Sequence, residues 1–174
     1  MSRIPDPDYV GKDITDFNTN YSLRTNVYME LATVISKMAK CTRRQVGAVL
    51  TNRSGAILAM GYNGTPHGTV ECTHGGCPRG KLTTKIDERP AVCFGAHAEM
   101  NCIIHAGKHG RLSDDMILYC THQPCDTCLP HVINAGVKKI YYIKGYHVPA
   151  YPNYFVEMCF NSNVETFRME NYPK

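Results

Sequence analysis

The sequence predicts a single α/β domain in which helices cover a central sheet. Two patterns indicate this: a β-hairpin follows an amphipathic helix, and helix and strand patterns then alternate along the chain. The length of 174 residues suffices for one hydrophobic core and is short for two domains. We therefore expect one domain over residues 26–174, preceded by a polar arm over residues 1–25.

The first predicted elements are a helix and a hairpin. Residues 26–40 carry apolar side chains at helical spacing, which predicts a buried face on this helix. The members of that face are Val27, Leu31, Val34, Ile35 and Met38. Two β patterns, at 46–50 and 56–60, flank a turn-forming stretch at 52–55 and together predict the hairpin.

A long loop follows the hairpin. Residues 64–90 are rich in Gly and Pro, and a loop of this length in so small a domain is expected to be functional or tied by a metal. The elements predicted beyond it are a helix over 96–106, a strand over 116–120, a helix over 125–135 and strands over 139–143 and 164–167. The side chains expected to be buried from the helix over 96–106 are Met100, Ile103 and Ile104.

Composition and charge exclude several classes of protein. Hydrophobic residues make up 43% and charged residues 20%, which is unlike a disordered chain. No apolar run approaches the roughly 20 residues of a membrane span, and the polar start lacks the apolar stretch of a signal peptide. The net charge of +4 and the absence of Trp give little support for binding a polynucleotide. We expect a cytoplasmic protein with neither membrane nor nucleic acid as a partner.

The strongest chemical signal is His97-x-Glu99 followed by Pro124-Cys125-x-x-Cys128. The chain has nine cysteines and no secretion signal, so clustered thiols indicate metal binding or chemistry rather than disulfides. One imidazole and two thiolates satisfy three positions of a zinc ion and leave the fourth open for water. Cys125 and Cys128, at the predicted start of a helix, can both reach one ion.

Glu99 has a different predicted role from that of the three ligands. It lies two residues after His97, so its side chain is expected beside the water and not on the metal. Zinc held in this way lowers the pKa of a bound water to about 7, and Glu99 would carry protons to the ring nitrogen and the departing amine. The order of these motifs is the signature of zinc-dependent nucleobase deaminases. A purely structural zinc site is the alternative, and it leaves Glu99 without a role.

The chain resembles the deoxycytidylate deaminases of the cytidine and deoxycytidylate deaminase superfamily. The matching stretches are Cys41-Thr-Arg-Arg-Gln-Val-Gly-Ala-Val, Gly61-Tyr-Asn-Gly-Thr-Pro, His97-Ala-Glu-Met-Asn, and Thr121-His-Gln-Pro-Cys-Asp-Thr-Cys with Asn134-Ala-Gly-Val. They fall within residues 28–146, about two-thirds of the chain.

This resemblance implies a fold, an activity and a mode of regulation. The fold is a three-layer α/β/α sandwich with a five-stranded mixed sheet, and the activity is conversion of dCMP to dUMP and ammonia, which supplies dUMP for thymidylate synthesis. The assembly implied is a homohexamer that dCTP activates and dTTP inhibits, with Mg²⁺ accompanying a triphosphate effector. Residues 61–66 resemble the family's segment for regulatory nucleotides.

A second group of cysteines surrounds the long loop. Its members are Cys41, Cys72, Cys77 and Cys93, with His74 as a substitute for any one of them. A loop over about 64–95 with so little apolar content would order poorly without a staple, and a closed zinc site would supply one. Similar bacterial and phage proteins carry such a structural zinc with varying ligands. The alternative is that these are ordinary buried thiols, as we expect for Cys102, Cys120 and Cys159.

Five residues are candidates for contact with a substrate or effector nucleotide. They are Arg43, Arg44, Asn63, Gly64 and Tyr146. The two arginines could bind a phosphate or lie on a solvated surface. Asn63 could touch the nucleotide or serve only as a turn residue, next to glycines that permit close approach of the backbone. Tyr146 could stack on a base or make packing contacts.

Three other functions remain open from the sequence. Deaminases of polynucleotides such as tRNA share the zinc motif, as do deaminases of dCTP, of free nucleosides and of guanine. A zinc-stapled binding module without catalysis is the third alternative. The first two differ from dCMP deamination in substrate preference, and the third predicts that Glu99 can be replaced without loss of function.

Overall fold

The computed structural model describes residues 21–81, 93–146, 151–169 and 172. Its sheet contains five strands, which are β1 (Gly47–Thr51), β2 (Ile57–Tyr62), β3 (Met116–His122), β4 (Val137–Lys144) and β5 (Glu165–Arg168). Their order across the sheet is β2-β1-β3-β4-β5. β1 runs antiparallel to β2 and β3, whereas β3, β4 and β5 are parallel to one another. The predicted five-stranded mixed sheet is therefore confirmed.

Helices cover both faces of this sheet. They are α1 (Leu23–Ser36), α2 (Ala98–Lys108), α3 (Leu129–Asn134) and α4 (Tyr154–Asn161). Met29 and Ala32 of α1 join one core, with Val49, Tyr119 and Tyr141 from the sheet. The other core unites apolar residues of α2, α3 and α4 with the opposite face of the sheet. This arrangement confirms the three-layer α/β/α sandwich.

The buried face of α1 differs from the prediction. Val27, Val34 and Met38 are exposed, at 39%, 51% and 52%, while Leu31 and Ile35 are only partly buried. The residues that face the sheet are Thr25, Asn26, Met29, Ala32 and Ser36. Small side chains are needed there because a Cβ on Gly47 of β1 would lie 2.0 Å from the Ala32 carbonyl oxygen. The helix thus packs directly on the strand.

The prediction for α2 is correct only in part, because Ile103 packs against the core but is not the residue that α2 buries most deeply. Ile104 is 46% exposed, and Met100 and Ile103 are only partly buried. The side chains that α2 buries are those of Ala98, Glu99, Cys102 and Ala106. A Cβ on Gly61 of β2 would lie 2.4 Å from the Ala98 carbonyl oxygen, so this helix also lies against its strand without room for large side chains.

Several predicted boundaries shift by a few residues. α1 begins at Leu23 and so includes the last three residues of the predicted arm, of which residues 1–20 lie outside the described part. The helix expected from residue 125 begins only at Leu129, which leaves Cys125 in the preceding turn. The long loop contains two 3₁₀ turns, Cys72–His74 and Pro78–Lys81, and its residues 82–92 lie outside the described part.

Two further observations complete the fold. Cys102, Cys120 and Cys159 are buried in the core, as predicted. α4 was not predicted, because its eight residues are fewer than the window of about 11 that helical periodicity needs. Within the described ranges, no helix has the length and apolar character needed to span a bilayer.

Candidate active site

Two helix starts bring the three predicted metal ligands together. His97 is the residue that precedes α2, and Cys128 is the residue that precedes α3. The Sγ atoms of Cys125 and Cys128 each lie 3.3 Å from Nδ1 of His97. A tetrahedral zinc with ordinary Zn–S and Zn–N bonds separates such sulfur and nitrogen atoms by about 3.5 Å. The three side chains therefore fit one zinc ion closely.

The turn between the two cysteines favours an ionised sulfur. The backbone N–H of Cys128 donates to the carbonyl of Cys125 at 3.1 Å, which closes the turn. Hydrogen bonds from the Cys128 thiol, from His97 and from the Thr127 hydroxyl lower the pKa of Cys125 to about 3, against the effect of burial. A thiolate is the form that binds a metal.

Glu99 lies in the first turn of α2 and is almost completely buried, with 4% of its surface exposed. Burial raises the pKa of its carboxyl group to about 7, partly offset by its backbone hydrogen bond and the charge of His97. It lines the same cavity as His97 and Cys125 but does not belong to the group of close ligand atoms. A carboxyl group in this position can accept a proton and release it near neutral pH.

Every residue predicted to contact a nucleotide also lines this cavity. Its lining includes Arg43, Arg44, Asn63, Gly64 and Tyr146. It lies beyond the carboxyl ends of the parallel strands β3 and β4, which is where open α/β sheets bind their ligands.

Asn63 has a clear structural role in this lining. Its side-chain Oδ1 accepts from the backbone N–H of Val46 at 2.8 Å, and its Nδ2 donates to the carbonyl of Arg44 at 2.9 Å. The neighbouring Gly64 exchanges two backbone hydrogen bonds with Ala96, at 3.1 and 2.7 Å. Asn63 and Gly64 thus tie the arginine segment and the approach to His97 to the end of β2, and nucleotide contact by either stays a prediction.

The arginines and Tyr146 form one wall of the cavity. The guanidinium carbon of Arg44 lies 5.7 Å from the ring centre of Tyr146, which is within cation–π range. Oε1 of Gln123 accepts from the backbone N–H of Tyr146 at 3.4 Å. Nη1 of Arg43 donates to the carbonyl of Arg79 at 3.3 Å, which joins the loop to this wall.

The second group of cysteines lines the same cavity. The Sγ atoms of Cys77 and Cys93 are 3.9 Å apart, close to the roughly 3.8 Å between two thiolates on one zinc. Burial, with Cys77, Cys41 and Cys93 nearby, raises the pKa of Cys72 to about 12. His74 is different, because its ring is largely exposed and lies 3.5 Å from a carboxylate oxygen of Glu71.

The two groups differ in how closely their ligand atoms gather. Over the described residues, the His97 group is the one set of three His, Cys, Asp or Glu ligand atoms that all lie within 4.8 Å of one another. The four cysteines are therefore neighbours, but they are more widely spread than the His97 group.

A family model described as the cytidine and deoxycytidylate deaminase zinc-binding region matches residues 24–144. The chain belongs to this deaminase family. Its zinc-binding region is thereby shown, and the His97 group is the cluster within it that fits the ion. The family membership accords with the resemblance seen in the sequence.

Individual relatives extend this comparison. The deaminase domain is 36% identical over 124 residues to deoxycytidylate deaminase of Schizosaccharomyces pombe, covering 71% of this chain and 38% of that protein. It is 34% identical to ComE operon protein 2 of Bacillus subtilis over 76% of this chain and 65% of that protein. The match therefore spans less than two-fifths of the fungal relative's length.

The solved structures include a dCMP deaminase from the cyanophage S-TIM5 in complex with dCMP and dUMP. It is 30% identical to this deaminase domain with a TM-score of 0.62, and the match covers 82% of this chain and 93% of that one. This likeness covers nearly the whole of the phage protein, so the two share the domain and not only a motif.

One residue of the site, Arg79, was not foreseen from the sequence. Arg79 and Gln123 line the cavity, and the Tyr154 hydroxyl donates to the carbonyl of Pro124, directly before the ligand Cys125. Gln123 was expected at the floor of the pocket, since it lies within the motif that contains the cysteine pair. Tyr154 belongs to a late cluster of tyrosines that could cap the pocket or make packing contacts. Arg79 reaches the site through the long loop, whose position the sequence pattern did not define.

Proposed function

We propose that this protein is a zinc-dependent enzyme that hydrolyses dCMP to dUMP and ammonia. The observation that carries the proposal is a buried carboxyl group, Glu99, in one cavity with a zinc-compatible His97–Cys125–Cys128 group. The name of the fungal relative and the dCMP and dUMP bound by the phage relative support dCMP as the substrate.

The chain's own residues divide the work of this reaction. His97, Cys125 and Cys128 would hold the zinc ion, which supplies an ionised water and polarises the reacting centre. Glu99 would accept one proton of that water and pass it to the ring nitrogen. It would then take the second proton of the same water, by then part of the hydroxyl group on the ring carbon, and pass it to the leaving amine. Burial keeps Glu99 away from bulk solvent, so the proton it carries goes to the substrate.

The second group of cysteines would hold a structural zinc. The short separation of Cys77 and Cys93 and the proximity of Cys41 and Cys72 to them support this. The exposed position of His74 favours the four-cysteine set over one that contains His74. Such a site would staple the loop that forms one side of the cavity.

The direct test measures ammonia release by the zinc-loaded protein from dCMP, dCTP, deoxycytidine, CMP and a tRNA hairpin. We expect the highest kcat/KM with dCMP, and loss of about 10²–10⁴-fold in kcat for Glu99→Gln because its proton transfer is removed. Zinc content and melting temperature should stay at the parent values. Glu30→Gln, which changes an exposed carboxylate on α1, is the matched control and should keep full activity.

The possible outcomes separate the alternatives. A higher kcat/KM with dCTP, with a nucleoside or with tRNA than with dCMP would identify that compound as the substrate in place of dCMP. Turnover by Glu99→Gln close to that of the parent would contradict the mechanism. If the parent turned over none of these substrates, a zinc-stapled binding module without catalysis would be the alternative that fits. Regulation by dCTP and dTTP, Mg²⁺, hexamer formation and cytoplasmic location remain predictions, and dCMP saturation curves with each effector would test the regulation.

A further inference from the structure

A second concavity adjoins the active cavity. The two share Cys41, Arg43, Arg44 and His122 in their linings, so one opens beside the other. The second concavity is additionally lined by Lys144, and no carboxylate is among the described residues that line it. A polar hollow with cations and no described acid suits a negatively charged group.

The topology explains why Lys144 lies here. It is the last residue of β4, and it pairs in parallel register with His122, the last residue of β3. Parallel strands direct their carboxyl ends to one edge of the sheet, where ligands of α/β proteins bind. The same edge leads through Gln123 to the metal ligand Cys125, so Lys144 and the metal group lie at the same edge of the sheet.

The positive charges of Arg44 and Lys144 both act on the imidazole ring of His122. The pKa of His122 is lowered to about 4, first by burial and then by the charges of Lys144 and Arg44. His122 is consequently neutral at physiological pH, and the two cations are close enough to it to influence the same imidazole. Arg44, His122 and Lys144 all line the second concavity, so both cations border the same space.

Contacts with Tyr146 and Asn63 restrain Arg44. Its guanidinium lies over the ring of Tyr146 at 5.7 Å, and its carbonyl accepts from Nδ2 of Asn63 at 2.9 Å. A guanidinium restrained in this way loses less conformational entropy when it binds an oxyanion.

We propose that Arg44 and Lys144 together bind the phosphate of the substrate nucleotide and determine the preference for a phosphorylated substrate. Two cations match the charge of −1.5 to −2 that a phosphate monoester carries at about pH 7. The inference rests on the proposed function, because it places the phosphate beside the cavity in which the base would react.

The test uses zinc-loaded full-length protein and four variants: Lys144→Ala, Lys144→Arg, Arg44→Ala and Lys138→Ala. Loss of one charged contact should raise the KM for dCMP about tenfold in the Lys144→Ala and Arg44→Ala variants, with a much smaller change in kcat. Lys144→Arg should restore most of the affinity, because the charge remains. Lys138→Ala removes an exposed lysine near the opposite end of β4 and should match the parent.

Calorimetry separates failure of this inference from failure of the proposed function. The affinity for dUMP should fall about tenfold in Lys144→Ala, whereas the affinity for deoxyuridine should not change. A parent that deaminates dCMP and a Lys144→Ala variant with unchanged KM and dUMP affinity would overturn the inference alone. A parent without dCMP turnover would overturn the proposed function, and the comparison of dUMP with deoxyuridine would still decide whether a phosphate binds here.

Discussion

At the scale of single residues, the hydroxyl of Tyr154 is the contact by which α4 supports the metal group. It is buried and donates to the carbonyl of Pro124, directly before Cys125. Tyr154→Phe should lower the free energy of unfolding by about 1–2 kcal/mol, because the carbonyl loses a buried donor. Urea denaturation would measure this loss, and titration with a zinc chelator should show weaker metal binding.

Tyr151→Phe is the control for that substitution. The Tyr151 hydroxyl donates to Glu157, but both groups are exposed to solvent, so water can replace the bond. We expect no change in its unfolding curve or in zinc retention. If both tyrosine variants behaved alike, the Pro124 contact would have no special role.

At the scale of elements, two glycines allow helices to lie directly on strands. Gly47 meets α1, and Gly61 meets α2 at the carbonyl of Ala98. Alanine at either position should cost about 1–3 kcal/mol in the free energy of unfolding, because the added Cβ forces the helix outward. Since α2 carries Glu99, Gly61→Ala should also reduce dCMP turnover, whereas Gly47→Ala should affect mainly stability.

Gly107→Ala provides the matched change within α2. A Cβ there would meet only a side-chain atom of Leu112 at 3.5 Å, an ordinary contact. Because alanine is favoured over glycine in helices by about 0.5–1 kcal/mol, this variant should be as stable as the parent or more stable. Equal destabilisation by the substitutions at Gly61 and Gly107 would contradict the packing explanation.

The same packing explains which parts of the elements the sequence could predict. Alternating and helical patterns located the five strands and the helices α1, α2 and α3, since periodicity reflects backbone geometry. They failed to locate the buried face of α1, because hydrophobicity assigns Val34 and Met38 to the core, whereas close contact with Gly47 requires small residues such as Ala32. Which helix lies against which strand is a property of the tertiary structure.

At the scale of the whole molecule, the site combines predicted and unpredicted parts. The His97 and Cys125 motifs carry their chemistry in local spacing, so the sequence alone indicated the metal group. Lys144 and Tyr154 have no such spacing. Lys144 reaches the site because β4 lies beside β3 in the sheet. Tyr154 reaches it because α4 packs into the core and brings the tyrosine to Pro124.

The zinc content and melting temperature of ligand variants would test whether both predicted metal sites exist. We expect about two zinc ions per chain, one at His97, Cys125 and Cys128 and one at the loop cysteines. Cys77→Ser should lose one ion and lower the melting temperature by roughly 5 °C, because the energy of structural metal binding stabilises the fold. Metal analysis and thermal unfolding measure both effects.

Two further variants distinguish the sites. Cys125→Ser should also lose one ion and all dCMP turnover, but it should melt nearer the parent temperature, because its ligands lie next to helices packed on the sheet. Cys159→Ala, which changes a thiol in the core outside both groups, should retain both ions. Full zinc content in Cys77→Ser, equal to that of Cys159→Ala, would contradict a structural zinc held by Cys77.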